Sequence, residues 1–131
     1  MDFIIYSTYT TKRFKVINLL LHKLECMYLR IKGVPFEDCL GMYKGIHERS
    51  ILVYRSTKFS REDIFKRAIL YKQESVLMTF SKTERFAYLQ FLEHDESFYL
   101  GKLKLLEPSE LENLESWTKI LRTNLYFGVL R

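Results

Sequence analysis

The sequence predicts an α+β domain in which an antiparallel sheet of about five strands carries its helices on one side. Three observations predict it. Apolar residues recur at helical spacing near the start, a second helix with clear start signals follows the first strands, and three strand-like segments separated by polar turns come later. With 131 residues, 47% of them hydrophobic and 28% charged, the chain has the size and composition of one globular domain.

The first elements are a short apolar segment at residues 3–6 and a helix within residues 11–31. In the helix the apolar residues follow each other at steps of three and four, which predicts a buried stripe. Gly33 and Pro35 end the helix. Residues 1–34 either belong to the core or form a helical extension on a core that follows. The predicted stripe consists of Phe14, Ile17, Leu21, Leu24, Tyr28 and Ile31.

The middle of the chain predicts a hairpin over residues 38–56 and then a second helix. Ser60 is the expected N-cap, and Asp63 is placed to complete a capping box. Phe59 before the cap and Ile64 after it are spaced for a hydrophobic staple. This helix is expected to run from about residue 61 to residue 72.

Strands are predicted at residues 75–80, 85–91 and 98–105, each followed by a polar or turn-forming segment. Pro108 then indicates the first turn of a short last helix, with Leu111, Leu114 and Trp117 at every third position. A final strand is expected over residues 124–130. This succession predicts a meander that extends an antiparallel sheet.

The charge is moderately basic and unevenly spread. The formal net charge is +5, and residues 1–34 alone hold six Lys or Arg against two Asp or Glu. Such a basic first part of the chain predicts a contact surface for an anion, a nucleic acid or an acidic protein. The competing interpretation is a set of solvated helix faces.

Cysteine use and hydropathy indicate a reducing compartment. Cys26 and Cys39 have no Cys-x-x-Cys spacing for redox or zinc chemistry. The start of the chain lacks the features of a signal peptide, and no apolar run has the length of a membrane span. The sequence therefore predicts a cytoplasmic protein without membrane contact.

Metal, cofactor and nucleophile motifs are absent from the sequence. His22, His47 and His94 lie far apart, and the pair of His22 and Cys26, four residues apart, supplies only two ligands. Phosphate-binding loops, dinucleotide fingerprints and nucleophile elbows are missing as well. We therefore expect no metal, no cofactor and no catalytic residue.

The segment Gly41–Ser50 combines backbone freedom with hydrogen-bonding side chains more densely than any other part of the chain. Because neighbours on a strand point to opposite faces, His47 and Arg49 should share one side and Glu48 and Ser50 the other. One side alone gives few groups for catalysis. We interpret the segment as a shaped turn, supported by Glu48 and Ser50, that displays Tyr43, Lys44 and His47 to a partner. Glu48 and Arg49, together with Gln73 and Glu74, are further candidate binding residues. A small ribonuclease centred on His47 and Arg49 is the third-ranked alternative.

The strand around Phe86 and Tyr88 supports a second hypothesis. It overlaps most of the RNP1 pattern, in which alternate aromatic side chains stack on RNA bases. Arg85 replaces the glycine of that pattern. The alternative function is therefore an RNA-binding module, with the cations Lys12, Lys15 and Lys23 as further contacts.

Several short motifs together resemble small uncharacterised proteins encoded by bacteriophages and prophages. They are Gly41-x-Tyr43-x-Gly45-x-x-Glu48-x-Ser50, Gln73-Glu74-Ser75-Val76, Gly101 and Trp117-Thr118, and they cover about residues 39–131. The resemblance implies a non-enzymatic accessory protein that binds and modulates a host or defence macromolecule in the host cytoplasm. It implies sites at Tyr43, Lys44, Glu48, Ser50, Gln73, Glu74 and Gly101.

Overall fold

The computed structural model describes residues 2–43, 45–56, 59–81 and 85–130. Within these ranges it contains eight strands, two α-helices and one 3₁₀ helix. In chain order they are β1 (Phe3–Tyr6), α1 (Lys15–Lys32), β2 (Phe36–Tyr43), β3 (Ile46–Tyr54), α2 (Arg61–Leu70), β4 (Ser75–Ser81), β5 (Arg85–Phe91), β6 (Ser97–Leu106), the 3₁₀ helix (Pro108–Asn113), β7 (Ser116–Ile120) and β8 (Leu125–Leu130).

The strands close into an antiparallel barrel in the order β1-β3-β2-β7-β8-β6-β5-β4. The elements from β1 to β4 form a βαββαβ unit with the strand order β4-β1-β3-β2. The later strands continue from β4 and return to β2, where Cys39 lies opposite Ile120 and Tyr43 opposite Ser116. Closure leaves no unpaired sheet edge among the described strands.

The expected open sheet of about five strands, with helices on one side, is therefore wrong. Two misassignments account for it. The helical signal at Pro108 extends only to Asn113, and Trp117 lies on a strand instead of a helix. The pairing of β2 with β7 joins residues as far as 81 positions apart (Cys39 with Ile120), and local sequence patterns carry no signal for such a contact.

Helix α1 also buries a different face from the one expected. Its buried residues are Asn18, His22, Glu25, Cys26 and Leu29. Much of the predicted stripe is exposed instead, with Ile31 at 80% and Leu24 at 48% of full exposure. The helix buries polar side chains because they find partners: the Glu25 carboxylate accepts hydrogen bonds from Tyr6, Tyr71 and Arg67. Its end is as predicted, with Gly33 in the left-handed conformation at φ 71°.

The start of α2 confirms its sequence signals. Ser60 accepts a hydrogen bond from the Asp63 amide, and the Asp63 carboxylate accepts one from the Ser60 amide. Phe59 and Ile64 are both buried in the core cluster beneath the helices.

Two apolar clusters lie on opposite sides of the barrel wall. The larger one fills the space between the wall and the helices, and includes Ile51 and Val53 of β3. The smaller one contains Leu52 of the same strand with Phe3 and Phe127. Because neighbouring strand residues point to opposite faces, the smaller cluster lies inside the barrel. Among the described residues, no helix has the length and hydropathy to cross a membrane.

Candidate active site

The barrel encloses a cavity of about 650 Å³ beside its internal apolar cluster. Eight-stranded barrels are wide enough to hold one small ligand when side chains leave part of the interior empty. The volume lies within the ordinary range for small-molecule sites. Most of the lining side chains are apolar, and the polar ones are Tyr43, Glu48, Ser50, Ser75, Ser116, Trp117 and Thr118.

Strand β3 places Glu48 and Ser50 in this cavity. Both line it, while their neighbour Arg49 bonds to Asp38 outside the barrel. Ser50 is buried, and its hydroxyl has no hydrogen-bond partner among the described residues. The alternation of faces expected for this strand is therefore present, and it puts two unsatisfied polar groups side by side.

Glu48 is the only charged side chain among the described residues that line the cavity. Burial is the cause that raises the pKa of its carboxyl above the ordinary value of 4.5. No hydrogen bond or ion pair joins this carboxyl to a described residue. A half-buried carboxylate without a counter-charge is costly unless a ligand supplies one.

The glycine segment shapes the mouth of the cavity. Gly45 adopts a positive φ of 82° in the tight turn between β2 and β3. Gly41 lies within β2 and needs no such conformation. Tyr43, 60% exposed, lines the cavity at the end of β2. Lys44 lies outside the described residues.

His47 and Arg49, which were predicted to share the strand face opposite to Glu48, lie on the outer face of the barrel. His47 is exposed and packs edge to face against Trp117, with ring centroids 5.8 Å apart. Arg49 bonds through both Nε and an Nη to the Asp38 carboxylate. The structure therefore separates His47 and Arg49 from Glu48 and does not bring the three together.

Asp38 joins an arrangement that the sequence did not predict. Its Oδ1 lies 2.8 Å from His22 Nε2, and Cys26 Sγ lies 3.7 Å from the same nitrogen. Burial opposes ionisation of Asp38, but hydrogen bonds from His22 and Arg49 outweigh it and hold the pKa of Asp38 below its usual value. The spacing of His22 and Cys26 could have suggested a search for a third metal ligand, but no local sequence pattern points to Asp38.

His22, Cys26 and Asp38 present ligand-type atoms within 4.8 Å of one another. Burial raises the pKa of the Cys26 thiol to about 11, so the thiol holds its proton at neutral pH. Arg49 already pairs with the carboxylate. The cluster acts as a hydrogen-bonded link between α1 and β2.

The other predicted binding residues lie away from the cavity lining. The Gln73 amide donates to the Tyr9 carbonyl oxygen at 2.9 Å, and Glu74 is exposed beside it. The next residue, Ser75, does line the cavity. Gly101 is buried opposite Ala87, where the pairing of β5 with β6 is irregular.

The residues of the RNA-binding alternative are spread over the outer surface. Phe86 and Tyr88 are half-buried and in ring contact with Tyr99. Lys12 and Lys15 are exposed at the start of α1, and Lys23 is exposed on its outer side. The structure does not gather these cations around the aromatic side chains.

Sequence reasoning predicted the last strand, β8, but missed β7, which lies beside it and contributes to the cavity wall. Ser116, Trp117 and Thr118 line the cavity with Phe127. The alternation of small polar and large residues from Ser116 to Ile120 is a strand signal, but the spacing of leucines after Pro108 was interpreted as helical.

No curated protein matches the chain in sequence. The model of the S-adenosylmethionine lyase family matches residues 4–130. This match overturns the resemblance to phage accessory proteins, and a family defined by a lyase reaction overturns both the non-enzymatic function and the expectation that the chain is not an enzyme. Since the match spans nearly all of its 131 residues, the chain belongs to the S-adenosylmethionine lyase family.

Proposed function

We propose that this chain cleaves a carbon–sulfur bond of S-adenosylmethionine in the barrel cavity, where Glu48 binds the α-ammonium group of the substrate. The single observation that carries the assignment of the site is the Glu48 carboxyl. It lines the cavity without an ion pair to any described residue, and burial raises its pKa. A cationic ligand would supply the missing charge.

The size and lining of the cavity suit this substrate. Its volume of about 650 Å³ exceeds what a small amino acid needs and fits a nucleoside derivative. Phe127 offers apolar and aromatic surface for a purine. The hydroxyls of Ser50, Ser75, Ser116 and Thr118 offer hydrogen bonds to a ribose or a carboxylate.

The chemistry needs little beyond positioning and exclusion of water. The sulfonium of S-adenosylmethionine is a good leaving group, since it departs as a neutral thioether. In the simplest lyase route the substrate's own carboxylate oxygen attacks its Cγ and forms a C–O bond. The Cγ–S bond breaks, and its electron pair goes to sulfur. The products are a lactone and 5′-methylthioadenosine, and no water is consumed.

The apolar walls favour this route because the reaction cancels a positive and a negative charge. A water-poor site stabilises the separated charges of the substrate less than bulk water does. The transition state carries less charge, so it loses less stabilisation when water is excluded. The Glu48 carboxylate favours catalysis more when it binds the α-ammonium group than when it binds the sulfonium. The ammonium keeps its charge throughout, whereas a carboxylate at the sulfonium would stabilise the starting state most.

The proposal is tested by incubating the purified chain with S-adenosylmethionine and separating the products by chromatography. We expect 5′-methylthioadenosine and a lactone from the wild type, and a value of kcat/KM lower by on the order of 100-fold for Glu48→Gln, which loses a charged hydrogen bond. Glu112→Gln, a change at an exposed glutamate in the 3₁₀ helix, is the matched control.

Two results would count against the proposal in different ways. A folded wild type that releases no thioether nucleoside would refute the activity. Full activity in Glu48→Gln would refute the site. If an unsaturated amino acid forms in place of the lactone, the reaction is an elimination and not a ring closure. In an elimination a base removes a proton from the substrate.

The place of action is also a proposal. Cys26 and Cys39 are both buried and free. Free thiols fit a reducing compartment, and we propose that the chain acts in the cytoplasm.

A further inference from the structure

The barrel holds a second cavity, of about 340 Å³, toward the end opposite to the cavity that contains Glu48, called here the first cavity. Strand β3 shows the division. Its residues Glu48 and Ser50 line the first cavity, and Leu52 and Tyr54, further along the same strand, line the second. Strands β1, β5 and β7 divide in the same way. The barrel therefore offers a separate space for a ligand at each end.

Aromatic side chains form much of the wall of the second cavity. The Phe3 ring packs edge to face against Tyr54, with centroids 6.4 Å apart, and against Phe127, with centroids 6.0 Å apart. Such a wall favours another aromatic ring, which can pack against the edges and faces of the three. The volume lies near the lower limit for small-molecule sites, so the ligand should be one ring with a short side chain.

The charged residues of this wall are all positive. Among the described residues that line the second cavity, Arg85 and Lys104 are cations and none is acidic. Arg85 is half-buried, and its guanidinium carbon lies 5.0 Å from the centroid of the Phe3 ring. Because residues four apart on a strand share a face, Arg85 lies on the same face of β5 as Leu89, which lines the first cavity. The guanidinium therefore belongs to the interior of the barrel.

We propose that the second cavity binds a small aromatic carboxylate. Its ring packs among Phe3, Tyr54 and Phe127. Its carboxylate pairs with Arg85, since a guanidinium can donate two parallel hydrogen bonds to a carboxylate. Such a pair is stronger beside apolar walls than in bulk water. A polyanion such as a nucleic-acid backbone fits poorly, because the apolar wall would desolvate its other charges without compensation.

Calorimetric titration of the purified chain with phenylacetate tests the proposal, with phenylacetamide as the uncharged control. We expect saturable binding of the carboxylate, and binding of the amide that is weaker by on the order of tenfold. Arg85→Gln should weaken phenylacetate binding by a similar factor and leave the affinity for the amide unchanged. Arg61→Gln is the matched control. Arg61 also lies over a phenylalanine ring, that of Phe65 at 5.8 Å, but it belongs to α2 and should not affect the ligand.

Methyl resonances in nuclear magnetic resonance spectra test the position of the ligand in the wild type. Phenylacetate should shift the methyl signals of Leu52, Leu105 and Ile120, which line only the second cavity. The signals of Leu77 and Val129, which line only the first cavity, should stay in place.

Several results would overturn the proposal. They are the absence of saturable phenylacetate binding, equal affinities for phenylacetate and phenylacetamide, and unchanged phenylacetate binding in a folded Arg85→Gln variant. Shifts confined to Leu77 and Val129 would also overturn it, because they would place the ligand in the first cavity. Neither measurement uses S-adenosylmethionine, so its outcome is independent of the lyase assay.

Discussion

Gly41 lies directly opposite Glu48 in the antiparallel pair of β2 and β3. Directly opposed residues of such a pair point to the same face, so a side chain at position 41 would stand beside the Glu48 carboxyl inside the barrel. The glycine therefore keeps open the part of the cavity that adjoins its only described charged group. This relationship gives the glycine-rich segment a role in the volume of the site.

We predict that Gly41→Val impairs substrate binding and leaves the fold nearly intact. A Cβ at position 41 would meet only the Glu48 carbonyl oxygen, at an ordinary 3.6 Å, and valine suits a strand. The free energy of unfolding should change by about 0.5 kcal/mol or less. KM for S-adenosylmethionine should rise on the order of tenfold, since the added methyls occupy ligand space. Steady-state kinetics and urea unfolding measure the two quantities, with Gly41→Ala as the milder control. An unchanged KM in the valine variant would place the substrate elsewhere.

The Glu25 carboxylate is fully buried and is held by Arg67, Tyr6 and Tyr71. Arg67→Met should therefore lower the free energy of unfolding by about 3–5 kcal/mol, because it leaves a buried carboxylate without its cation. Urea denaturation followed by circular dichroism provides the value. Arg61→Met on the same helix, whose nearest carboxylate contact is 3.8 Å, should cost far less. Equal losses for the two variants would show that Glu25 does not depend on Arg67.

Asp38 links β2 to both α1 and β3, and its contribution should depend on pH. Its folded pKa lies below the ordinary 3.8, since hydrogen bonds from His22 and Arg49 outweigh burial. A lowered pKa gives stability that is present above the unfolded value and lost as the pH falls through the folded one. Asp38→Asn should thus cost about 1–3 kcal/mol near neutral pH and progressively less in acid. Urea unfolding at a series of pH values tests this. A cost that stays constant into strong acid would contradict the assignment.

The sequence predicted local features well and distant ones badly. Ser60 and Asp63 form the expected capping box because its parts are three residues apart. Glu48 and Ser50 share a face of β3 because alternation follows from strand geometry alone. Each of these features needs only a few neighbouring residues.

The errors share a different physical origin. The buried face of α1 depends on Glu25 meeting Arg67, 42 positions away, and a periodicity of apolar residues contains no information on that meeting. Barrel closure likewise depends on β2 meeting β7. Glu48 was interpreted as a structural support of the turn, since nothing local shows that its side chain would lie in a cavity without a counter-charge.

We finally predict that Glu48→Gln stabilises the fold while it impairs catalysis. Burial raises the folded pKa of Glu48 above the ordinary 4.5. Between the unfolded and the folded pKa the native state binds more protons than the unfolded chain, so this carboxyl lowers stability as the pH rises through that window. The amide carries no charge and removes the penalty. Near neutral pH the variant should be more stable by about 1 kcal/mol or less, and the difference should vanish well below the ordinary carboxyl value.

The Glu48 carboxyl should also determine the acidic limb of the pH–rate profile. Protonation of Glu48 removes the charge that is proposed to bind the α-ammonium group, so kcat/KM of the wild type should fall as the pH drops through a pKa above 4.5. Glu48→Asp should keep such a limb, and Glu48→Gln should lose it. Thermal unfolding and pH–rate profiles of the three proteins, with Glu112→Gln as control, supply both readouts. A destabilised Glu48→Gln protein would mean that this carboxylate has a partner in the fold. The argument that Glu48 binds a cationic ligand would then fail.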